Sequence, residues 1–209
     1  MDGVIVHSTP LHNRAWEIYL EKHGIFPDEI ESRMHGLRND DIVRDYFGHE
    51  LNQEAVLRHG ADKERVYRDL MRPELERWLV PGVRNFLEAT VATPKAIASN
   101  AERPNIDFVL DQAKLRQHFL YVVDGHQAAR PKPFPDIYLA AAKMLGVDPV
   151  NCIVFEDSLA GVQAAYEAGT RVVGLTTTLP SLPRVELAVP DFRDPKLGAW
   201  LAAQRPRGH

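Results

Sequence analysis

One cysteine, Cys152, is all the chain contains. A single thiol excludes an internal disulfide and suits a reducing compartment, so the expected location is the cytoplasm. No apolar run approaches the roughly 20 residues that a membrane helix needs. No secretory pattern is visible either. Lys and Arg never gather into a block, aromatic and basic residues do not interleave, and the net charge is −4. Nucleic acid is therefore not an expected partner. The 9 histidines are scattered, without the paired spacing of a zinc site. Internal repeats and low-complexity segments are absent. What remains is a chain of 209 residues, long enough for one domain with an insertion.

The most informative stretch runs from Cys152 to Gly161. Cys152 to Phe155 is a short apolar run and reads as a buried strand. Glu156 and Asp157 follow where that strand must end. Ser158 then stands at an N-cap position, and Val162, Ala165 and Tyr166 open a helical pattern. A strand, an acidic turn and a helix place ligands at the carboxyl edge of a parallel sheet. Two adjacent carboxylates repel unless a cation lies between them, and hard oxygen ligands on a turn suit Mg²⁺. The plainer reading is a solvated acidic cap on an ordinary helix.

The chain opens with Met1-Asp2-Gly3-Val4, which reads as a turn just past a strand. Leu11 to His23 has helical spacing through Leu11, Ala15, Trp16, Tyr19 and Leu20, and Gly24 ends it. Further helices are expected over Pro27 to Phe47, broken at His35-Gly36, and over the charged stretch Gln53 to Arg77. From Leu79-Val80-Pro81-Gly82 onward the character changes. Helices are expected over Val83–Thr90, Ile106–Leu115, Pro135–Leu145 and Ser158–Ala168, with a terminal helix over Leu197–Ala203. Strands are expected over Pro94–Asn100, Leu120–Asp124, Asn151–Phe155, Arg171–Leu175 and Leu187–Phe192. This alternation predicts an α/β fold with a doubly wound parallel sheet. An inserted, small α-helical cap occupies 11–79, and the core is 1–10 with 80–209. Asp2, Ser99-Asn100, Lys132 and Glu156-Asp157 all follow strand-like or turn segments. By the switch-point rule they should converge at one sheet edge. Carboxylates, a hydroxyl, a lysine and a cation are the parts that phosphoryl transfer requires.

With these segments in order, the chain resembles the haloacid dehalogenase superfamily. It is most similar to the branch of β-phosphoglucomutase-like enzymes and sugar-phosphate phosphatases with a small helical cap and a Rossmann-like core. Met1-Asp2-Gly3-Val4-Ile5 matches the family's Asp-x-Asp-Gly-Val motif from its middle residue onward. Ser99 matches the second motif, Lys132 in Arg130-Pro131-Lys132-Pro133 the third, and Glu156-Asp157-Ser158 the fourth. The resemblance implies that Asp2 is the general acid/base and that its main-chain carbonyl touches the metal. Ser99 and Lys132 would bind the transferring phosphoryl group, and Glu156, Asp157 and Asp2 would hold Mg²⁺. Asn100 stands beside the phosphoryl site. His12, His35, Arg38, Asn39 and Lys63 are the cap residues placed to close over a substrate. The competing reading of Arg38 and Lys63 is an ordinary solvated side chain on a charged helix.

The sequence departs from the family in three places. The family's nucleophilic Asp belongs immediately before Met1, and its apolar strand before that. Neither is in these 209 residues. Loss of a mid-sheet strand would open the core and leave two neighbours unpaired. A late start site, a trimmed chain and a degraded pseudoenzyme each account for this, and the intact later motifs favour the first two. The chain as written is expected to be nearly inactive, with its metal site one carboxylate short. His7 stands where an acidic residue is usual. Ala101, Glu102 and Arg103 replace the mutases' Ser-Lys-Asn, and Asn39 the cap arginine. Losing a hydroxyl and reversing a charge disfavours a bisphosphate intermediate. The sequence therefore implies a Mg²⁺-dependent phosphatase, acting as a monomer on a small phosphorylated metabolite such as a sugar phosphate, through an aspartyl-phosphate. A β-phosphoglucomutase-type mutase is the enzymatic alternative, and a catalytically dead phosphometabolite-binding protein the non-enzymatic one.

Overall fold

A computed structural model of the chain describes residues 1–26 and 39–204. Its centre is a parallel ladder of three strands, β3 (Ile153–Glu156), β4 (Arg171–Leu175) and β5 (Leu187–Val189). Ile153 pairs with Arg171, Glu156 with Gly174, and Val173 with Leu187. All five residues of β4 are buried, as expected for a strand covered on both faces. Successive side chains on a strand point to opposite faces, and β4 follows this rule. Val172 joins a cluster with Ile137, Tyr138, Val162 and Ala165 from helices α7 (Asp136–Leu145) and α8 (Leu159–Glu167). Val173 and Leu175 join a second cluster with Leu197 and Trp200 of helix α9 (Pro195–Ala203) and Phe86 of helix α5 (Val83–Ala89). Helices thus cover both faces, and the fold is a doubly wound α/β architecture.

The sheet is not continuous. β1 (Ala96–Ala98) and β2 (Tyr121–Val123) form a separate parallel pair, with Ala96 opposite Tyr121 and Ala98 opposite Val123. Among the described residues, β1 pairs only with β2, and β3 only with β4. Ala96, Ile97 and Ala98 of β1 and Ile153, Val154 and Phe155 of β3 line one apolar cavity of about 570 Å³. Met1, Val4 and Ile5 line it too. The expected single sheet is therefore two ladders with an apolar slot between them.

Two compact units divide the chain. One is Met1–His7 with Leu75–His209, and the other is Ser8–Glu74. Within the second, α1 (Thr9–Lys22) and α2 (Asn39–Phe47) bury Trp16, Tyr19, Leu20, Ile42 and Val43 together with Val56 of α3 (Gln53–Met71). The helix expected over Gln53–Arg77 is interrupted. α3 ends at Met71 and a short α4 covers Leu75–Trp78, because Pro73 has no amide to donate into the helical ladder. The helix expected over Ile106–Leu115 starts and ends three residues earlier, as α6 (Arg103–Gln112), with Pro104 in its first turn. β1, β2 and β5 are shorter than the strands expected over Pro94–Asn100, Leu120–Asp124 and Leu187–Phe192, whereas β4 covers the expected Arg171–Leu175 and β3 runs on to Glu156. The break expected at His35-Gly36, together with His35 and Arg38, lies outside the described residues.

Candidate active site

The acidic turn grows directly out of β3. Glu156 is the last residue of the strand, and Ser158 caps α8 by accepting a hydrogen bond from the Gly161 amide at 3.1 Å. Capping ties the helix start to the strand end, so Glu156 and Asp157 have fixed backbones. Their side chains have different surroundings. Glu156 Oε2 accepts from the Asp157 amide at 3.1 Å and from Ser158 Oγ at 3.1 Å. Its Oε1 accepts from Lys132 Nζ and from the Tyr138 hydroxyl. Gly161 is required beside it, because a Cβ there would lie 2.0 Å from Oε2. Burial pushes the Glu156 carboxyl up, but the Lys132 charge and hydrogen bond outweigh burial and hold it at about 2. The same burial, with Glu156 alongside, raises the Tyr138 hydroxyl well above its ordinary value.

Asp157 is the opposite case. Burial and the neighbouring Glu156 charge push its carboxyl up to about 6, and Asp2 adds to the effect. Its one side-chain hydrogen bond is from the Thr178 hydroxyl. Asp157 is thus a buried carboxylate short of positive charge.

Asp2 reaches the same place through the first turn. Met1 carbonyl oxygen accepts from the amides of Val4 at 3.1 Å and Ile5 at 2.7 Å, which curls residues 1–6 tightly. Gly3 adopts a left-handed φ of 63°, and a Cβ on it would lie 1.9 Å from Asp157 Oδ2. Only glycine lets this turn pack on the Asp157 carboxylate. The buried Met1 nitrogen feels the charges of Asp2, Lys132, Glu156 and Asp157. Those four residues form one electrostatic cluster. The chain then runs beside a second connection. The His7 amide donates to the Trp78 carbonyl at 2.8 Å, the Val80 amide to the Ile5 carbonyl at 3.0 Å, and the His7 ring stacks on Trp78.

Ser99 follows β1 directly and is buried. Its amide donates to the Val123 carbonyl at 3.0 Å, and its hydroxyl accepts from the Ala101 amide at 3.1 Å. Asn100 is exposed. Lys132 follows β2 on the Pro-rich loop, with its ammonium 4.9 Å above the Tyr138 ring.

A Mg²⁺ site must be judged on these donors. Among the described residues, no three His, Cys, Asp or Glu side chains stand together as a ready metal cluster. Glu156 has both oxygens occupied within the chain. Asp157 fits a hard cation, because it is buried, charge-poor and adjacent to Asp2 and the Gly3 turn. The sequence did not reveal Tyr138, Thr177 or Thr178. The three threonines in a row after β4 were a visible signal, since they too leave a strand at its carboxyl end.

The Ser8–Glu74 unit carries its own buried polar cluster. Lys63 is 1% exposed and Glu64 4%. Lys63 Nζ donates to Glu64 Oε1 at 2.6 Å, lies 3.2 Å from His12 Nδ1 and sits 4.9 Å above the Trp16 ring. Asn39 Nδ2 donates to the same Glu64 oxygen at 2.7 Å, and His12 stacks on Tyr67. Burial raises the Glu64 carboxyl, but Lys63, His12 and Asn39 outweigh it and hold it at about 2. Three of the expected cap residues, His12, Asn39 and Lys63, are thus gathered on Glu64, and Lys63 is not a solvated arm. Lys63→Met takes the ammonium away from the buried Glu64 carboxylate and leaves Asn39 and His12 beside it. Its expected cost is about 3 kcal/mol, a melting temperature lower by roughly 6–12 °C. Glu64 is held below its unfolded value, so its stabilisation is present above pH 4.5 and fades as pH falls towards 2. Thermal melts at pH 7 and pH 3 check this. An unchanged melting temperature at pH 7 would restore the reading of Lys63 as a solvated side chain.

Known proteins resemble the chain over most of its length. The family model described as haloacid dehalogenase-like hydrolase matches residues 1–169. A fructose-1-phosphate phosphatase of Escherichia coli is 30% identical over 177 residues, covering 83% of this chain and 92% of the relative. A phosphorylated carbohydrates phosphatase of Thermotoga maritima is 30% identical, covering 86% and 84%. The crystal structure of a β-phosphoglucomutase from Clostridium difficile superposes with a TM-score of 0.80 at 25% identity, covering 96% of this chain and 92% of that one. A family model spanning most of the chain, relatives aligned over most of their own length and a shared fold lead to one conclusion: the chain belongs to the haloacid dehalogenase-like hydrolases.

Proposed function

We propose that the protein is a Mg²⁺-dependent phosphatase of small phosphorylated carbohydrates, working through an aspartyl-phosphate. The observation that carries this reading is the cluster of Asp2, Lys132, Glu156 and Asp157 at the carboxyl end of β3. Lys132 is the phosphoryl ligand. Glu156 is its counter-ion rather than a metal ligand, because both carboxylate oxygens are already bonded within the chain. Asp157 and the main-chain carbonyl of Asp2 hold the cation, which when bound neutralises charge on the transferring phosphoryl oxygens. Asp2 gives its proton to the leaving oxygen as the ester P–O bond breaks, then takes one from the water that hydrolyses the acyl phosphate. Ser99 holds a phosphoryl oxygen. The phosphoryl acceptor of the motif is the position before Met1.

A mutase reading is favoured by the likeness to β-phosphoglucomutase. Against it, Arg103 lies in an exposed ion pair with Asp107, 3.0 Å away on the same helix. Among the described residues, the loop after Ser99 then offers Ala101, Glu102 and the ion-paired Arg103 in place of the mutases' Ser-Lys-Asn. The test is phosphate release from a panel of sugar phosphates, with Mg²⁺ and with EDTA. A chain extended by a strand ending in Asp is assayed beside the 209-residue chain. Incubation with β-glucose 1-phosphate and a trace of the 1,6-bisphosphate separates the readings. Free phosphate supports the phosphatase, and glucose 6-phosphate supports the mutase. No turnover in either chain, with phosphate esters still bound, would support a binding protein.

A further inference from the structure

Three consecutive threonines, Thr176, Thr177 and Thr178, leave β4 at its carboxyl end. The Thr176 amide donates to the Val189 carbonyl at 3.0 Å, which anchors the start of the loop on β5. The next two hydroxyls turn towards the acidic site. Thr177 Oγ1 donates to the Gly3 carbonyl at 2.6 Å, and Thr178 Oγ1 donates to Asp157 Oδ2. Asp157 Oδ2 also lies against the Gly3 backbone, too close for any Cβ there. One loop therefore grips both halves of the site, the first turn by its main chain and the acidic turn by its side chain.

We infer that Thr178 is the positioning residue that aims the Asp157 carboxylate at the bound cation, with Thr177 steadying the Asp2-Gly3 turn beside it. A carboxylate on a short side chain swings about its last torsion. A donor on one oxygen fixes the plane of the group and so the direction of the other oxygen. A hydroxyl does this without cancelling the charge, which is what Lys132 does to Glu156. Partners of this kind behind a metal ligand are typically worth about 10- to 100-fold in metal affinity. The inference rests on the proposed reading of Asp157 as a cation ligand.

The test measures free Mn²⁺ by electron paramagnetic resonance during titration of the wild-type chain, Thr178→Val and Thr178→Ser. Mn²⁺ takes the same hard oxygen ligands as Mg²⁺. Thermal melts in EDTA accompany each titration. Valine keeps the shape and removes the hydroxyl, while serine restores it. The expected result is a dissociation constant about 10-fold higher for Thr178→Val, and within about twofold of wild type for Thr178→Ser. Equal Mn²⁺ affinity in all three chains would overturn the positioning role and leave the site reading standing. Equal weakening in Val and Ser would also overturn it, because the effect would then lie in side-chain packing rather than in the hydroxyl. A lower melting temperature with unchanged affinity would make Thr178 merely structural. No Mn²⁺ bound by the wild-type chain, nor by the chain extended by a strand ending in Asp, would remove Asp157 as a ligand, and with it both readings.

Discussion

Lys132→Met is expected to destabilise the protein by about 3–5 kcal/mol, because it leaves the buried Glu156 carboxylate without its cation. For a chain of this size that lowers the melting temperature by roughly 10 °C or more. The Glu156 carboxyl is held at about 2, below its ordinary 4.5. Its contribution is therefore fully present above pH 4.5 and is lost as pH falls towards 2. Melts from pH 7 to pH 3 should show a steeper acid loss in wild type than in Lys132→Met, and the difference isolates this pair from Glu64. The double variant Lys132→Met, Glu156→Gln should recover most of the stability, since no charge is then stranded. Catalysis should not recover. Loss of one donor to a transferring anion typically costs about 10²- to 10³-fold. A chain stable and active without Lys132 would overturn both its pairing and its role as phosphoryl ligand.

The second large effect is expected on extending the chain. The slot between β1 and β3 is apolar, about 570 Å³, and flanked by two strand edges that, among the described residues, pair with nothing across it. Parallel strands stand about 4.8 Å apart, so one added strand can bond to both edges at once. Four or five apolar residues joined to Met1 would bury side chains worth about 1.5–3 kcal/mol each. Ordering them costs about 1–2 kcal/mol of backbone entropy per residue. The added ladder hydrogen bonds contribute about 1 kcal/mol each. The net effect is expected to be stabilising by several kcal/mol, seen as a melting temperature higher by roughly 10 °C or more. If the last added residue is Asp, its carboxylate enters where the buried Met1 nitrogen already feels Asp2, Lys132, Glu156 and Asp157. Phosphate release should then rise by several orders of magnitude over the 209-residue chain, and Asp→Asn at the added position should abolish the gain without lowering the melting temperature. Activity already present at full strength in the 209-residue chain would show that the phosphoryl acceptor lies elsewhere.

Much of this was legible in the sequence because it is local. Arg171–Leu175 reads as a strand from its apolar run, and Ser158 reads as a helix cap from its place after two carboxylates. Gly146 reads as a helix stop, and the structure gives it the left-handed φ of 69° that a stop requires. The four motifs, met in order, gave the family. The largest helix-boundary differences fell where proline intervenes, at Pro73 and Pro104, and three of the expected strands are shortened. What the tertiary structure alone decided is the partner of each charge. Glu156 and Asp157 are neighbours in the chain and both are buried. Yet one is held at about 2 and the other pushed up to about 6, because Lys132 and Tyr138 approach the first and only a threonine hydroxyl the second. Lys63 reads from sequence as a cap residue closing over substrate or as a solvated side chain, but folding places it under Trp16 and against Glu64. Periodicity fixes which face of an element is apolar. It does not fix which distant element supplies the counter-charge, and in a buried site that choice sets the chemistry of each carboxylate.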